Sequence, residues 1–257
     1  MTALEPLLVH LAANRFMPAP PQHLLNCGDG DYRAIGAEFL GHFVRRGGLL
    51  PDERVLDIGC GPGRIAVPLT QYLSAEGSYD GVDVVAESIG WCSERITAAY
   101  PRARFHRLDA AHAIYNPSGQ HDLSATRLPF PDASFDFICM VSLLTHLDAD
   151  GLAHYAGEAA RLLAPGGRCF ATAFLLNPPA RDALRAGGGR WSFDPDDPGP
   201  VVPGDRAVPL AASAFDEDFL LAAFLRVGLR RKRPAAYGHW SGRQAVNFQD
   251  ICIFERG

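Results

Sequence analysis

A glycine-rich segment with an acid beside it is the first place where residue types and spacing indicate chemistry. The segment reads Val55-Leu56-Asp57-Ile58-Gly59-Cys60-Gly61-Pro62-Gly63-Arg64. Glycine allows the backbone to approach a ligand closely and to adopt conformations that side chains disfavour. A dinucleotide-binding loop would need a further glycine at position 64, where Arg64 stands. Because Asp57 would repel a pyrophosphate, the pattern favours a ligand that carries an ammonium group.

Two further acids follow apolar runs that are typical of strands. Asp83, with Val84 after it, lies about 20 residues beyond the glycines, where a carboxylate accepts hydrogen bonds from ribose hydroxyls. Asp109 is placed to accept from an adenine amino group, and Leu108 and Ala110 offer apolar contact on either side. The two acids therefore predict a nucleoside site. A helix N-cap at Asp83 and a surface acid at Asp109 are the alternatives.

His146 is the candidate general base. It follows the fourth predicted strand, and ligands collect at the carboxyl ends of parallel strands. A neutral imidazole takes up a proton near pH 7, so His146 is suited to deprotonating a hydroxyl group. The alternative is that it packs against or caps the next helix. We predict no metal site. Asp148 and Asp150 are most simply interpreted as the polar start of a helix, and the sequence contains no His/Cys pattern that is typical of metal binding.

Aromatic and histidine residues in two links are candidates for contact with a second substrate. His239 and Trp240 lie in a glycine-containing link between two predicted strands near the C-terminus. Tyr115 and His112, in the unusually long stretch 111–127, are weaker candidates. An ordinary hairpin loop is the alternative for the first pair.

An alternation of strands and helices must position these residues. The predicted strands are 54–58, 79–84, 103–108, 135–141 and 168–175, and the predicted helices are 64–74, 87–99 and 150–163. Strands that alternate with helices form βαβ units and a largely parallel sheet, so the fold class is α/β.

The pattern breaks at residues 177–212, which are rich in Gly, Pro and Asp. A segment this long without regular structure is usually a lid, a binding loop or disordered. Helical periodicity returns at 213–227, with Ser213 as the expected N-cap. Residues 229–236 and 249–255 are expected to form a terminal strand pair.

These segments together resemble the class I S-adenosylmethionine-dependent methyltransferases, particularly their bacterial small-molecule branch. The matching elements, in order, are VLDIGCGPGR, GVDVV, RLDA, LPFPDASFDFICMVSLLTHL and RLLAPGGRCF. The resemblance runs from about Val55 to Leu175 and more loosely beyond. It implies a doubly wound, mostly parallel seven-stranded sheet with an antiparallel last strand. It also implies S-adenosyl-L-methionine as cofactor and S-adenosyl-L-homocysteine as product.

The resemblance further implies cofactor contacts by position. Asp57 and the glycines would line the methionine and ribose pocket, Asp83 would bind the ribose and Asp109 the adenine. Met140 and Val141 would flank the cofactor. The full predicted set is Asp57, Gly59, Cys60, Gly61, Gly63, Asp83, Val84, Leu108, Asp109, Ala110, Met140 and Val141. Because a sulfonium methyl group is already activated, the protein mainly positions the reactants.

We predict a single methyltransferase domain over residues 1–257. Its parts are an N-terminal lid or extension (1–50), a cofactor-binding core (51–176), an insertion loop (177–212) and a C-terminal helix with a strand pair (213–257). Tyr32 and Arg33 are candidates for closing the lid over the cofactor carboxylate.

The composition limits the classes of molecule that this protein is expected to bind. With 24 basic and 29 acidic residues the net charge is −5, so no basic field favours a nucleic acid. The six cysteines form no C-x-x-C pair, which argues against zinc or redox motifs. No secretory signal and no apolar run of about 20 residues is present, so we expect a cytoplasmic protein without a membrane partner. The sequence does not indicate the oligomeric state.

Three alternatives stay open. A nicotinamide-dependent oxidoreductase is disfavoured by Arg64 and by the absence of a Tyr-x-x-x-Lys pair, since Lys232 is the one lysine and Gly228 stands four residues before it. A nucleic-acid methyltransferase would place an Asn-Pro-Pro-aromatic motif after the fourth strand, whereas residues 177–180 follow the fifth and end in Ala180. A non-enzymatic cofactor-binding domain is the third.

We predict methyl transfer to a small molecule. The expected acceptor is an oxygen of a hydroxyl or carboxyl group on a natural product or sugar, with nitrogen or carbon as alternatives.

Overall fold

The computed structural model describes residues 4–25, 30–245 and 247–257. Cys27, one of the six cysteines, lies outside these ranges together with Gly28 and Asp29. In the ranges that are described, no helix combines the length and the apolar character needed to cross a membrane.

Twelve strands occur in the described residues. In chain order they are β1 (Arg54–Ile58), β2 (Ser78–Asp83), β3 (Ala103–Arg107), β4 (Ala110–Ala111), β5 (His121–Asp122), β6 (Phe135–Met140), β7 (Leu163–Ala173), β8 (Leu175–Leu176), β9 (Val201–Pro203), β10 (Ser213–Asp216), β11 (Leu229–Arg231) and β12 (Asp250–Arg256). Seven of them form one sheet in the order β11-β12-β7-β6-β1-β2-β3. β12 is antiparallel to both of its neighbours and the other pairs are parallel, which confirms the predicted topology.

Helices cover both faces of this sheet. They are α1 (Leu4–Ala13), α2 (Tyr32–His42), α3 (Ala66–Tyr72), α4 (Ala86–Cys92), α5 (Ala149–Leu162), α6 (Pro178–Arg185) and α7 (Glu217–Arg226). One apolar cluster joins α5 and α7 to the sheet, and a second joins α1, α2, α3 and α4 to its other face. The fold is therefore doubly wound. α2 and α4 each continue into a π-helical turn, at 43–47 and 93–97.

β1 shows why the apolar run forms a central strand. Leu56 and Ile58 point into the first apolar cluster and Val55 into the second, because successive strand side chains alternate between faces. A strand buried on both faces is typical of a parallel sheet. Asp57 shares the face of Val55 and is the one acid in this buried strand.

The insertion 177–212 is not a loop throughout, which corrects the prediction. It contains α6, β9 and a short 3-10 helix at 209–211, and β9 joins β8 and β10 in a second sheet. Asn177 caps α6 by accepting a hydrogen bond from the Ala180 amide at 3.0 Å. Residues 178 and 179 are prolines in the first turn, where a missing N–H costs nothing. The Asn-Pro-Pro-Ala run is therefore a helix start.

The structure also corrects two predicted boundaries. Ser213 is not an N-cap, since residues 213–216 form β10 and α7 begins at Glu217. Asp216 caps that helix by accepting from the Phe219 amide at 3.2 Å. A strand of four residues is too short to be distinguished from the helical pattern that follows it. The predicted fifth strand begins earlier, at Leu163, directly after α5.

Candidate active site

The glycine loop between β1 and α3 turns at three residues with positive φ. Gly59, Gly61 and Gly63 have φ values of 81°, 49° and 77°, a region that side chains disfavour. A Cβ atom at Gly63 would lie 2.6 Å from Ile96 Cδ1, whereas one at Gly61 would meet nothing within 4 Å. The loop is therefore packed tightly against the turn after α4 at Gly63 and is open to a ligand at Gly61.

Asp83, the last residue of β2, ties this loop to the sheet. Its Oδ2 accepts from the Gly61 amide and its Oδ1 from the Val85 amide, both at 2.8 Å. Burial raises the pKa of Asp83, although these amides oppose the rise. A carboxylate offers about four lone-pair sites, so further donors can be accepted. Asp83 is thus held in one orientation and keeps acceptor capacity; Val84 beside it is half-buried.

Asp57 is buried, with 1% of its surface exposed. The Tyr79 hydroxyl donates to Asp57 Oδ2 at 2.7 Å. Burial raises the pKa of Asp57 to about 7, and hydrogen bonds from Tyr79 and Cys139 oppose that rise. Cys60, the residue between the first two loop glycines, is also buried, and burial raises the pKa of its thiol.

The segment after β3 runs along the end of β2. The Leu108 amide donates to the Asp83 carbonyl oxygen at 2.9 Å, so Asp109 follows directly beyond Asp83. Leu108 and Ala110 are buried on either side, and Asp109 is half-buried with Arg107 Nη2 at 3.4 Å. Asp109 is therefore flanked by two buried apolar side chains.

The long link 111–127 folds back onto this acid. The amides of Gln120 and His121 both donate to the Asp109 carbonyl oxygen at 3.1 Å. Asn116 Nδ2 donates to the Ala110 carbonyl oxygen at 2.9 Å. The link is therefore anchored beside Asp109.

The end of β6 lies against the glycine loop. Met140 is fully buried and Val141 is half-buried. A Cβ atom at Gly59 would lie 3.2 Å from Leu143 Cδ1, which shows how closely the two segments approach. The structure thus brings Met140 and Val141 to the same edge as Asp57 and Asp83.

Three polar side chains that sequence reasoning missed support the end of β6. Ser142 has a positive φ of 59°, which is costly for a residue other than glycine. Its amide donates to Thr172 Oγ1 at 2.7 Å and its hydroxyl to Gln249 Oε1 at 3.3 Å. The Thr172 hydroxyl also donates to Gln249 Oε1. Nothing in the sequence links positions that are 77 and 107 residues apart.

His146 lies in a 3-10 helix after β6, between the long link and the insertion. Its Nδ1 is 3.0 Å from the Leu210 carbonyl oxygen, and its Nε2 is 3.2 Å from the Tyr115 hydroxyl oxygen. A carbonyl oxygen only accepts, so the proton of the neutral ring lies on Nδ1 and the lone pair on Nε2. Burial lowers the pKa of His146. A neutral ring with a basic Nε2 is therefore the form at neutral pH.

His112 holds Tyr115 beside His146. Its Nδ1 accepts from the amides of Ile114 and Tyr115 at 3.2 and 3.3 Å, and its Nε2 donates to the His146 carbonyl oxygen at 3.1 Å. The Tyr115 and His146 rings meet edge to face, with centroids 5.2 Å apart. His112 is thus better explained as a support for Tyr115 than as a substrate contact.

The two neighbours His239 and Trp240 have different surroundings. Trp240 is 1% exposed, packs against Phe174 and Phe193, and donates from Nε1 to Asp250 Oδ2 at 2.7 Å. This burial argues for a packing role rather than the predicted substrate contact. His239 is exposed and stacks edge to face with a phenylalanine in the last link. Of the pair, His239 alone has a side chain accessible to a ligand.

The residues at this edge fit the cofactor implied by the sequence resemblance. An ammonium group suits the buried acid Asp57, and ribose hydroxyls suit the remaining acceptor capacity of Asp83. An adenine suits Asp109 with Leu108 and Ala110 beside it. The open side of the loop at Gly61 leaves room for the ligand to approach.

Comparison with known proteins agrees with this fit. Residues 56–171 match a family described as methyltransferase domain. The demethylmenaquinone methyltransferase of Deinococcus radiodurans is 31% identical over 216 residues, which are 80% of this chain and 77% of the relative. A solved S-adenosylmethionine-dependent methyltransferase from Methanosarcina mazei superposes with a TM-score of 0.55 at 22% identity, covering 81% of this chain and 94% of that one.

A third relative has an acceptor atom in its name. The 27-O-demethylrifamycin SV methyltransferase of Amycolatopsis mediterranei is 32% identical over 137 residues, 52% of this chain. The chain spans 44% of the length of that relative and 41% of each of two further curated relatives.

Proposed function

Because this chain belongs to the class I S-adenosylmethionine-dependent methyltransferases, we propose that it methylates an oxygen atom of a small molecule. The acceptor is a hydroxyl or carboxyl group of a natural product or sugar. The orientation of His146 carries the choice of oxygen, since Nε2, which the Tyr115 hydroxyl contacts at 3.2 Å, holds the lone pair that can take a proton from an acceptor hydroxyl. The relative named for 27-O-demethylrifamycin SV is consistent with that choice.

The cofactor site is proposed to use the acids in order along the sheet edge. Asp57 and the glycine loop take the methionine end, Asp83 the ribose and Asp109 the adenine, with Met140 and Val141 alongside. The hydrogen bond from Gly61 to Asp83 supports this order, because it fixes the ribose acid against the loop. When bound, S-adenosylmethionine supplies a methyl group that is already activated by its sulfonium.

His146 is proposed to act as the general base. Where the acceptor is a hydroxyl group, Nε2 takes its proton as the oxygen is methylated, and the Leu210 carbonyl stabilises the imidazolium through Nδ1–H at 3.0 Å. A carboxylate acceptor carries no proton at neutral pH and needs no base. The lowered pKa keeps the ring unprotonated and ready at neutral pH. The acceptor hydroxyl replaces the Tyr115 hydroxyl at this nitrogen, because Nε2 of a neutral imidazole holds one lone pair.

The acceptor pocket is proposed to lie between the long link and the insertion, within a single domain. Tyr115 comes from the link, Leu210 from the insertion and His146 from the end of β6, so these three segments meet at one point. The exposed side chain of His239 is a further candidate contact. The long link and the insertion therefore border the same proposed site.

Demethylmenaquinone is the second candidate acceptor. The observation in its favour is that the demethylmenaquinone methyltransferase aligns over 80% of this chain, farther than the rifamycin relative does. Demethylmenaquinone itself is therefore tested beside hydroxylated and carboxylated compounds.

The test is a methylation assay with labelled S-adenosylmethionine and mass spectrometry of the products. We expect transfer to an oxygen in the presence of hydroxylated acceptors. His146→Ala lowers kcat by about 10²–10⁴-fold while the affinity for S-adenosylhomocysteine is kept. The matched control is His42→Ala on α2, whose ring nitrogen Nε2 lies 3.4 Å from Glu38 Oε1 of the same helix and whose loss leaves kcat unchanged. Full turnover of a hydroxylated acceptor by His146→Ala would contradict the role of His146 as base, and methylation of carbon alone would contradict the choice of oxygen.

A further inference from the structure

Asp57 and Tyr79 form a buried pair that spans two strands. β1 and β2 are parallel with Asp57 opposite Gly81 and Val55 opposite Tyr79. Side chains on one face of neighbouring strands lie side by side, and glycine leaves its place on that face empty. The Tyr79 side chain uses that space to reach the Asp57 carboxyl at 2.7 Å. A Cβ atom at Gly81 would lie 3.0 Å from the Tyr79 hydroxyl oxygen and 2.9 Å from Cys60 Sγ.

The groups that face Asp57 come from every element around it. They are Tyr79 on β2, Cys139 on β6, Cys60 in the loop, Asp83 at the end of β2 and Cys92 on α4. None of these five groups carries a positive charge, and the nearby carboxyl of Asp83 raises the pKa of Asp57 further. A buried carboxyl with such neighbours keeps its proton to an unusually high pH, in agreement with its pKa of about 7.

A cation that docks beside such a group changes its protonation. Charges act strongly over several ångströms where water is excluded, so an ammonium group at the loop favours the ionised carboxylate. The loop residues Gly59–Gly63 follow Asp57 by two positions, which places any ligand of the loop close to that carboxyl. The proton that leaves Asp57 passes to the solvent, because the nitrogen of the ammonium group is already fully protonated.

We propose that Tyr79 is the positioning residue of Asp57, and that docking of the cofactor's ammonium group at the glycine loop releases a proton from Asp57. The inference rests on the cofactor site proposed above. Tyr79 donates to the carboxylate and so stabilises the ionised form that the cation requires. Burial raises the pKa of the Tyr79 phenol well above its usual range, so the hydroxyl remains a donor throughout the accessible pH range.

The test is calorimetric titration with S-adenosylhomocysteine between pH 6 and pH 9, each in two buffers of different ionisation enthalpy. The difference between buffers counts the protons released. We expect about half a proton at pH 7, close to one at pH 6 and almost none at pH 9, with Kd about tenfold weaker at pH 6 than at pH 8. 5′-Methylthioadenosine, which lacks the ammonium group, is the control ligand and releases none.

Three variants separate positioning from structural support. Asp57→Asn abolishes the proton release. Tyr79→Phe removes the donor, so the pH at which affinity is half lost rises, and binding is weakened at pH 7 but recovers at pH 9. Tyr72→Phe, which removes a hydroxyl that donates to the Leu49 carbonyl oxygen at 2.8 Å, leaves the profile unchanged. A merely structural role of Tyr79 would weaken binding equally at every pH.

The outcomes distinguish the two proposals. Tight binding of S-adenosylhomocysteine without proton release, or equal release by Asp57→Asn, overturns this inference and leaves the methyltransferase proposal standing. Failure of a folded sample to bind S-adenosylhomocysteine at any pH overturns both.

Discussion

Gly63 holds the glycine loop against the turn that follows α4. Its φ of 77°, and the 2.6 Å that would separate a Cβ atom at this position from Ile96 Cδ1, are both compatible with glycine alone. Gly63 is therefore required because it has no side chain. A methyl group there would have to push the α4 region away from the sheet or move the loop itself.

Gly63→Ala is expected to lower the free energy of unfolding by at least about 1–2 kcal/mol, the cost of a left-handed residue with a side chain. It should also weaken binding of S-adenosylhomocysteine. Urea denaturation and calorimetry measure the two effects. The matched control is Gly157→Ala inside α5, where a Cβ atom meets nothing within 4 Å and where alanine should stabilise by about 0.5–1 kcal/mol. Equal stability of the two variants would contradict the packing argument.

Single residues differ in how far the sequence predicts them. Asp57, Asp83 and Asp109 could be singled out because each follows or ends an apolar run at a sheet edge. Tyr79 could not, since an aromatic residue in a strand normally indicates packing, and its hydroxyl partner lies 22 residues earlier. Ser142 could not either, because a positive φ at a serine depends on tertiary contacts.

Among the elements, β12 depends on an anchor at its first residue. Asp250 is fully buried and accepts from the Leu175 amide, the Gly238 amide and Trp240 Nε1 at 2.6–2.7 Å. Burial raises its pKa to about 6, opposed by these three donors. One carboxylate thereby joins β12, β8 and the link 237–249.

Asp250→Ala is expected to lower the free energy of unfolding by about 3 kcal/mol or more, because three buried donors lose their partner at about 1–3 kcal/mol each. Chemical denaturation measures the loss. Asp52→Ala removes an exposed acid and should change stability by less than about 0.5 kcal/mol. A similar small change for Asp250→Ala would show that water replaces the carboxylate without penalty.

The elements of the central sheet were predictable where an apolar run was long enough. β1, β2, β3 and β6 lie within one residue or so of their expected positions. The elements in and after the insertion could not be predicted, because Gly, Pro and Asp favour turns locally. α6, β9 and β10 are instead stabilised by contacts with Phe174 and Trp240. Tertiary packing overrode local preference there.

Across the whole molecule, the carboxyl edge of the sheet gathers groups from distant parts of the chain. The ends of β1, β2, β3 and β6 carry the cofactor candidates, while the long link and the insertion meet at His146. The resemblance of the core segments predicted the first set. The meeting of the long link and the insertion at His146 depends on contacts between residues 31 and 64 positions apart, which a local sequence pattern does not predict.

The buried acid in β1 makes the stability of the whole protein depend on pH. The pKa of Asp57 is raised in the folded state, so its contribution is complete below about pH 4 and is lost as the pH rises through about 7. Relative to Asp57→Asn, the wild type should lose up to about 1.4 kcal/mol of unfolding free energy per pH unit between pH 5 and 7. Urea denaturation of both proteins across this range measures the difference. Parallel curves would show that Asp57 is ionised in the folded protein.

The hydrogen bond from His146 to the Leu210 carbonyl has a consequence for engineering. The insertion, which is proposed to border the acceptor pocket, also fixes which ring nitrogen carries the proton. Under that proposal, a change in the insertion alters the choice of acceptor and the base chemistry together. Grafting a foreign insertion onto this sheet to broaden its range of acceptors would delete that carbonyl, and the imidazole would be free to turn its N–H toward the substrate. A productive graft must therefore bring its own backbone acceptor to the same point, whatever else it changes.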